Sequence, residues 1–241
     1  MDRHSINFEI YEAGSLIYLA DAKFGGHPIN EFHEFFGGQA GLRELTEKGA
    51  VMASSLYQDD GYTIRVVFGD LTEQEDSEWT SRARSVMNIE SGRLLVSGVC
   101  DQDLENYITD WTAAEDGGAY DLGTFVEVPP GQYDVAIYGY PPGDLAGGWM
   151  AIEDRSMFKA CFSKESAFPY EKPIDYFSRT RPSETPLDWH VEGWTDDAYL
   201  TFLIQIRQFE GILPETKFEA DGCIDWEFRK PEKCPLGIRL S

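Results

Sequence analysis

Basic residues are scarce in this chain. Its 20 Lys and Arg stand against 43 Asp and Glu, a formal net charge of −23 with a pI near 4.4. Such a field repels nucleic acid and anionic lipid, because both need Lys and Arg to displace counterions, so neither is expected as a partner. No apolar run approaches the ~18 residues of a membrane span, which excludes a transmembrane helix. The opening MDRHSINFEI lacks the charged-then-apolar layout of a signal peptide, and a cytoplasmic protein is expected. Cysteine is sparse as well: Cys100, Cys161, Cys223 and Cys234 form no CxxC pair, which argues against a zinc ribbon, and reduced buried thiols are the default. Cys223 and Cys234 flank CIDWEFRKPEKC, where a hairpin would let them face each other.

The usual catalytic signatures are missing too. The four histidines, His4, His27, His33 and His190, have no metal-ligand spacing, and a structural or surface role is expected for them. There is no GxSxG, no P-loop and no dinucleotide fingerprint. Asp101-x-Asp103-x-Glu105 imitates the start of a calcium loop, but Asn106 stands where glycine is needed and Thr112 where a bidentate glutamate is needed. No catalytic residue, cofactor or metal is expected.

What is present is strand pattern. The 241 residues are 42% apolar and 14% aromatic, which suits a soluble globular protein of one large all-β domain or two small ones. Ile6–Ile10, Ser15–Ala20, Val51–Tyr57, Tyr62–Phe68, Val86–Ile89, Arg93–Val99, Thr124–Val128 and Tyr133–Tyr138 read as strands. Turn residues separate them: Asp59-Asp60-Gly61, a hairpin-like Glu90-Ser91-Gly92, and Pro129-Pro130-Gly131. Ala198–Arg207, the longest apolar segment, is expected as a central buried strand; Leu200, Phe202, Ile204 and Ile206 keep a period of two, and Leu203 breaks the polar face. Helix signals are few: a short turn near Asn30, Ala40–Lys48 ended by Gly49, and a turn within Asp101–Trp111. The expectation is a mainly β protein, an antiparallel β-sandwich with short helices. Residues 1–145 would form the sandwich core, 146–197 an irregular insertion or subdomain, and 198–241 strands that rejoin the core.

The acids are unevenly spread. Residues 59–127 hold 16 acids and four bases, a net −12, whereas residues 198–241 are near neutral at −1. Asp70, Glu73, Glu75, Asp76 and Glu78 follow the Tyr62–Phe68 strand and are expected on an exposed loop at a sheet end. Asp101, Asp103, Glu105 and Asp110, with Trp111 beside them, follow the Arg93–Val99 strand. In a meander the two loops would share one end of the sandwich and form one anionic face. Aromatics beside carboxylates suit a cationic protein partner, and Trp111, Trp149 and Trp194 beside acidic or glycine-rich loops would equally suit a sugar.

One segment resembles a known family. GRLLVSGVCDQDL and FVEVPPGQYDVAIYGY, within about residues 92–140, show strand, acidic loop, strand, Pro-x-Gly-x-Tyr and strand. That order resembles bacterial β-sandwich proteins of the competence nuclease-inhibitor type, which are acidic proteins that bind and inhibit a nuclease. The resemblance implies an immunity or inhibitor role and transfers no individual residue. The function expected is therefore a non-enzymatic acidic interaction protein that occludes a basic toxin or nuclease. The alternatives are a carbohydrate-binding sandwich that uses loop tryptophans and a carboxylate-dependent hydrolase.

Overall fold

Ten short strands and four short helices, in a computed structural model, are set out over residues 3–11, 16–22, 39–56, 61–98, 123–142, 171–192, 198–212, 215–220 and 222–240. The strands are β1 (His4–Tyr11), β2 (Leu16–Asp21), β3 (Val51–Ser55), β4 (Gly61–Phe68), β5 (Ser81–Ile89), β6 (Arg93–Ser97), β7 (Gly123–Glu127), β8 (Gly131–Gly139), β9 (Phe202–Gln208) and β10 (Glu227–Phe228). The helices are α1 (Gln39–Glu47), α2 (Glu73–Glu78), α3 (Pro173–Thr180) and α4 (Asp188–Glu192). Strand outweighs helix, as the periodicity predicts. Among these residues no helix is long and apolar enough to cross a membrane.

Two sheets stack face to face. One has the order β1-β4-β9-β8-β5-β10 and the other β3-β2-β6-β7. Every strand pair is antiparallel except β4 with β9, which runs parallel with Ile64 opposite Phe202 and Phe68 opposite Ile206. Strand alternation sorts the side chains. Ile64, Val66, Val135, Ile137, Ile204 and Ile206 of the larger sheet meet Ile17, Leu19, Met52, Leu94, Val96 and Val126 of the smaller one in a buried inter-sheet core.

Both outer faces are also covered. On the smaller sheet, Tyr18, Ala20, Val51, Ala53 and Leu95 pack against Leu42 and Leu45 of α1. That helix ends in a Schellman motif, with Ala50 N donating to Leu45 O and Gly49 N to Thr46 O. Gly49 has φ +72°, and a Cβ there would meet Val86 O at 3.0 Å, so the position requires glycine. On the larger sheet, Val67, Ala136, Tyr138 and Leu203 pack with Trp79, Tyr140, Leu200 and Ile238. This explains Leu203: the second face of β9 is buried too. The strand lies within the larger sheet, between β4 and β8, and starts later than Ala198.

The expected hairpins do not form. The strands on either side of Glu90-Ser91-Gly92, β5 and β6, belong to opposite sheets, and so do β3 and β4, and β7 and β8. Glu90-Ser91-Gly92 and Pro129-Pro130-Gly131 are corners, while Asp59 and Asp60 lie outside the described residues. Turn chemistry reverses the chain, but the partner of each strand is set by long-range apolar fit, and sheets ~10 Å apart can be bridged by a few residues. At one corner Asp21 Oδ2 accepts from the backbone N–H groups of Glu90 and Ser91, while Val128 N donates to Gly92 O.

The described part of the 146–197 stretch, residues 171–192, holds α3 and α4. Tyr176, Phe177 and Trp189 cluster there with Tyr199 and Cys234. His190 has the structural role expected of it: Nδ1 accepts from Leu187 N at 2.9 Å, and Nε2 donates to Pro235 O at 2.8 Å. Burial pushes its pKa down, consistent with this neutral, doubly bonded ring. His4 stacks on Phe68 with ring centroids 4.3 Å apart, and His27 and His33 lie outside the described residues. Cys223 and Cys234 are buried thiols in different clusters, so the hairpin pairing does not form.

The central position of β9 yields a test. Ile204 is fully buried between the sheets, and Ile204→Ala is expected to cost about 2–5 kcal/mol in urea unfolding. Ile212→Ala, at a position 80% exposed, is expected to shift stability by less than about 0.5 kcal/mol.

Candidate functional site

The acidic run 70–78 does not form a loop at a sheet end. In the larger sheet β4 and β5 are parallel to each other, separated by β9 and β8, so the chain between them must return along the sheet's length. Residues 69–80 make that crossover over the outer face, and α2 lies within it. Thr72 caps α2 reciprocally: its side chain accepts from Glu75 N, and the Glu75 carboxylate accepts from Thr72 N. Three acids in the first turn complement the helix N-terminus.

Crossing a sheet face divides the acids by helical position. Glu75 and Glu78 are buried at 2% and 5% exposure, whereas Asp70, Glu73 and Asp76 are exposed. Glu75 accepts two hydrogen bonds from Arg3 Nη2, at 2.9 and 2.8 Å, and one from Arg65 Nη1 at 3.2 Å. Burial works against its charge, yet the Thr72 amide and the Arg3 guanidinium outweigh it and hold the carboxyl below the usual glutamate range. Glu78 Oε2 accepts from the backbone N–H groups of Leu236 and Gly237, each at 3.0 Å, and so fastens the C-terminal segment to the crossover. Here burial prevails over the Gln74 amide and those two N–H groups, and the carboxyl is raised. Glu75 and Glu78 are therefore corrected from surface acids to internal ties, because the crossover turns one side of α2 toward the sheet.

Other groups missed by sequence reading complete the anchorage. Tyr140 donates its hydroxyl to Glu75 O at 2.7 Å. The Arg229 guanidinium lies 3.6 Å from the Trp79 ring centroid and donates to Trp79 O and Asp76 O. Nothing in the local pattern announces these contacts, since their partners are 65 to 153 residues apart.

Asp101, Asp103, Glu105, Asp110 and Trp111 lie outside the described residues, as do Trp149 and Trp194. The meander that would bring the two acidic segments to one end is overturned by the strand order. Trp79, Trp189 and Trp226 are buried anchors, at 4%, 4% and 2% exposure. Among the described residues, no three His, Cys, Asp or Glu side chains gather as a metal site.

Asp70 also borders a cleft of about 390 Å³ on the larger sheet's outer face, lined by Arg84, Asp134, Arg207, Phe209, Glu210 and Ile212 among others. The period-two spacing of Arg82 and Arg84 in SRARS places both on one strand face, a signal legible in the sequence.

No protein-family model matches the chain, and no curated protein does. Among solved structures similar to it is one described as "Crocagin biosynthetic gene J", with a TM-score of 0.43, 14% identity, and coverage of 86% of this chain and 99% of that one. Another is ComJ from Bacillus subtilis, inhibitor of the DNA degrading activity of NucA, with a TM-score of 0.39, 7% identity, and coverage of 87% of this chain and 100% of that one. ComJ is a nuclease inhibitor, the type that residues 92–140 resemble, and its structural likeness to this chain is weak.

Glu75 and Asp76 are neighbours with opposite expected behaviour. Glu75→Gln is expected to destabilise the protein by about 3 kcal/mol at pH 7, since it leaves the Arg65 guanidinium buried without its counter-charge. Asp76→Asn is expected to stay within about 0.5 kcal/mol. Because Glu75 is lowered on folding, its contribution is present above the unfolded glutamate value of about 4.3 and is lost as pH falls through the folded value. Glu78, raised on folding, acts in the opposite sense and loses its contribution as pH rises through its folded value. Urea midpoints measured from pH 3 to pH 7 should therefore show a shallower acid limb for Glu75→Gln.

Proposed function

We propose that this protein is an acidic, non-enzymatic, cytoplasmic interaction protein that docks a cationic protein and occludes it. In its most concrete form it is a bacterial immunity protein or inhibitor whose carboxylates cover the basic groups with which a toxin or nuclease would hold phosphates. The observation that carries this reading is how the charges are used. Among the described residues, eleven of the chain's 20 bases are engaged in ion pairs with nine carboxylates. Those cations are largely neutralised by the chain's own carboxylates, some buried and some at the surface, and the surplus acids set the outward field. Asp70, Glu73 and Asp76 are exposed on the crossover and take part in none of these pairs. Glu73 and Asp76 stand on a short capped helix fastened to the sheet by Glu75 and Glu78, and Asp70 just before it, so little conformational freedom is lost when a partner docks on them.

Exposed charges of this kind govern encounter more than final affinity, and their reach is a Debye length of about 8 Å at physiological salt. The test uses a basic protein captured from lysate, identified, and shown to lose nucleic-acid binding in the complex. The association rate of that partner should fall as salt rises. The variant Asp70→Ser/Glu73→Ser/Asp76→Ser should associate about tenfold more slowly at low salt, with a flatter salt dependence and an unchanged circular dichroism spectrum. Neutral or acidic captured partners, or an unchanged salt slope, would overturn the reading.

A further inference from the structure

On the outer face of the larger sheet, Arg84 of β5 and Arg207 of β9 converge on Asp134 of β8, the strand between them. Arg84 donates from Nε to Oδ1 at 2.7 Å and from Nη2 to Oδ2 at 2.5 Å, and Arg207 donates from Nη2 to Oδ2 at 2.8 Å. The Asp134 side chain is 11% exposed, while those of Arg84 and Arg207 are 34% and 42% exposed. Burial opposes the charge of Asp134, but the two arginines overcome it and keep the group ionised. Two guanidiniums thus share one carboxylate. One positive charge is left over, and Arg84 Nη1 and Arg207 Nε and Nη1 have no hydrogen-bond partner among the described residues. Asp134 holds both forks in place before any ligand arrives, which lowers the entropy that binding must overcome.

The cleft beside this pair adds two constraints. Phe209 and Ile212 line it, and Ile212 is 80% exposed, the largest exposure of any large apolar side chain described. Asp70 and Glu210 stand on the same lining, so with Asp134 three acids face the two arginines there, a net −1 that opposes a polyanion such as nucleic acid or polyphosphate and leaves any anion to be held by the guanidinium edges alone. A single planar carboxylate next to an apolar group satisfies all of these features: a fork-shaped donor set for two oxygens, no room for multiple negative charge, and an apolar contact at the rim.

We propose that this cleft binds a peptide segment of a protein partner, with one carboxylate on the exposed edges of Arg84 and Arg207 and a neighbouring apolar side chain against Phe209 and Ile212. The site goes beyond the anionic docking surface, because it accepts an acid where the rest of the surface attracts bases. It would supply register and residence time, which a diffuse field does not.

The probes are the blocked dipeptides Leu-Glu, Leu-Gln and Leu-Lys, with acetate and inorganic phosphate as small anions, followed by the arginine side-chain N–H signals in nitrogen-15 NMR of the full chain. Leu-Glu is expected to shift the Arg84 and Arg207 signals saturably and to bind about tenfold more tightly than Leu-Gln and than acetate. Arg207→Gln should abolish the response. Ile212→Ser, at a position too exposed to affect folding, should weaken Leu-Glu severalfold and leave acetate unchanged. Acetate equal to Leu-Glu would mean a small-carboxylate site and would overturn the peptide assignment. Tighter binding of phosphate, an equal response to Leu-Lys, or no saturable shift at either arginine would overturn the carboxylate site itself. None of these results depends on the basic partner, so the two readings fail separately.

Discussion

A sheet whose central strands are apolar on both faces has to be covered twice, and most of this molecule follows from that constraint. β9 carries Phe202, Ile204 and Ile206 toward the smaller sheet and Leu203 away from it. The inner face is covered by the second sheet. The outer face is covered by the 69–80 crossover and the C-terminal segment, which fasten to each other through Glu78 and the Leu236 and Gly237 amides. The parallel pairing of β4 with β9 needs no local connection because the two strands are more than a hundred residues apart in the chain.

The same constraint gives a strongly acidic segment two roles. α2 has six residues, and four of them are acidic. Laid across a sheet, it turns Glu75 and Glu78 inward, where each charge is tolerated only because guanidinium or backbone N–H donors meet it. Asp70, Glu73 and Asp76 remain outside. The internal pair of carboxylates holds the platform rigid, and the external set gives it its field. Cations are distributed in a complementary way: many are consumed in pairs, and Arg84 and Arg207, sharing Asp134, put guanidinium edges on the lining of a cleft that also holds Asp70 and Glu210. A surface that is anionic at long range and amphoteric at one cleft separates the speed of encounter from its selectivity.

Much of the fold could be read from local pattern because period two and turn chemistry act over a few residues. Tyr62–Phe68 differs from the observed strand by one residue, and the helix at Ala40–Lys48 ends at Gly49, where a positive φ is required. Strand partners could not be read that way. Glu90-Ser91-Gly92 carries the chemistry of a tight turn whether the next strand joins the same sheet or the facing one. The burial of Glu75 was equally hidden, since Arg3 and Arg65 reach it from 72 and 10 residues away.

Charge, strand content and the position of the apolar segments belong to the sequence itself, because each is a sum or a local repeat. Net charge does not depend on folding, and the alternation in YTIRVVF or YDVAIYG specifies two unlike faces before either has a neighbour. Which acids stay on the surface was decided only by the tertiary structure. An exposed Asp76 and a buried Glu75 are adjacent residues of the same chemical class, and they differ in what the crossover places over each. The Arg84–Asp134–Arg207 cluster is likewise a product of strand order, because β5, β8 and β9 become neighbours through long-range pairing that no local run of residues encodes.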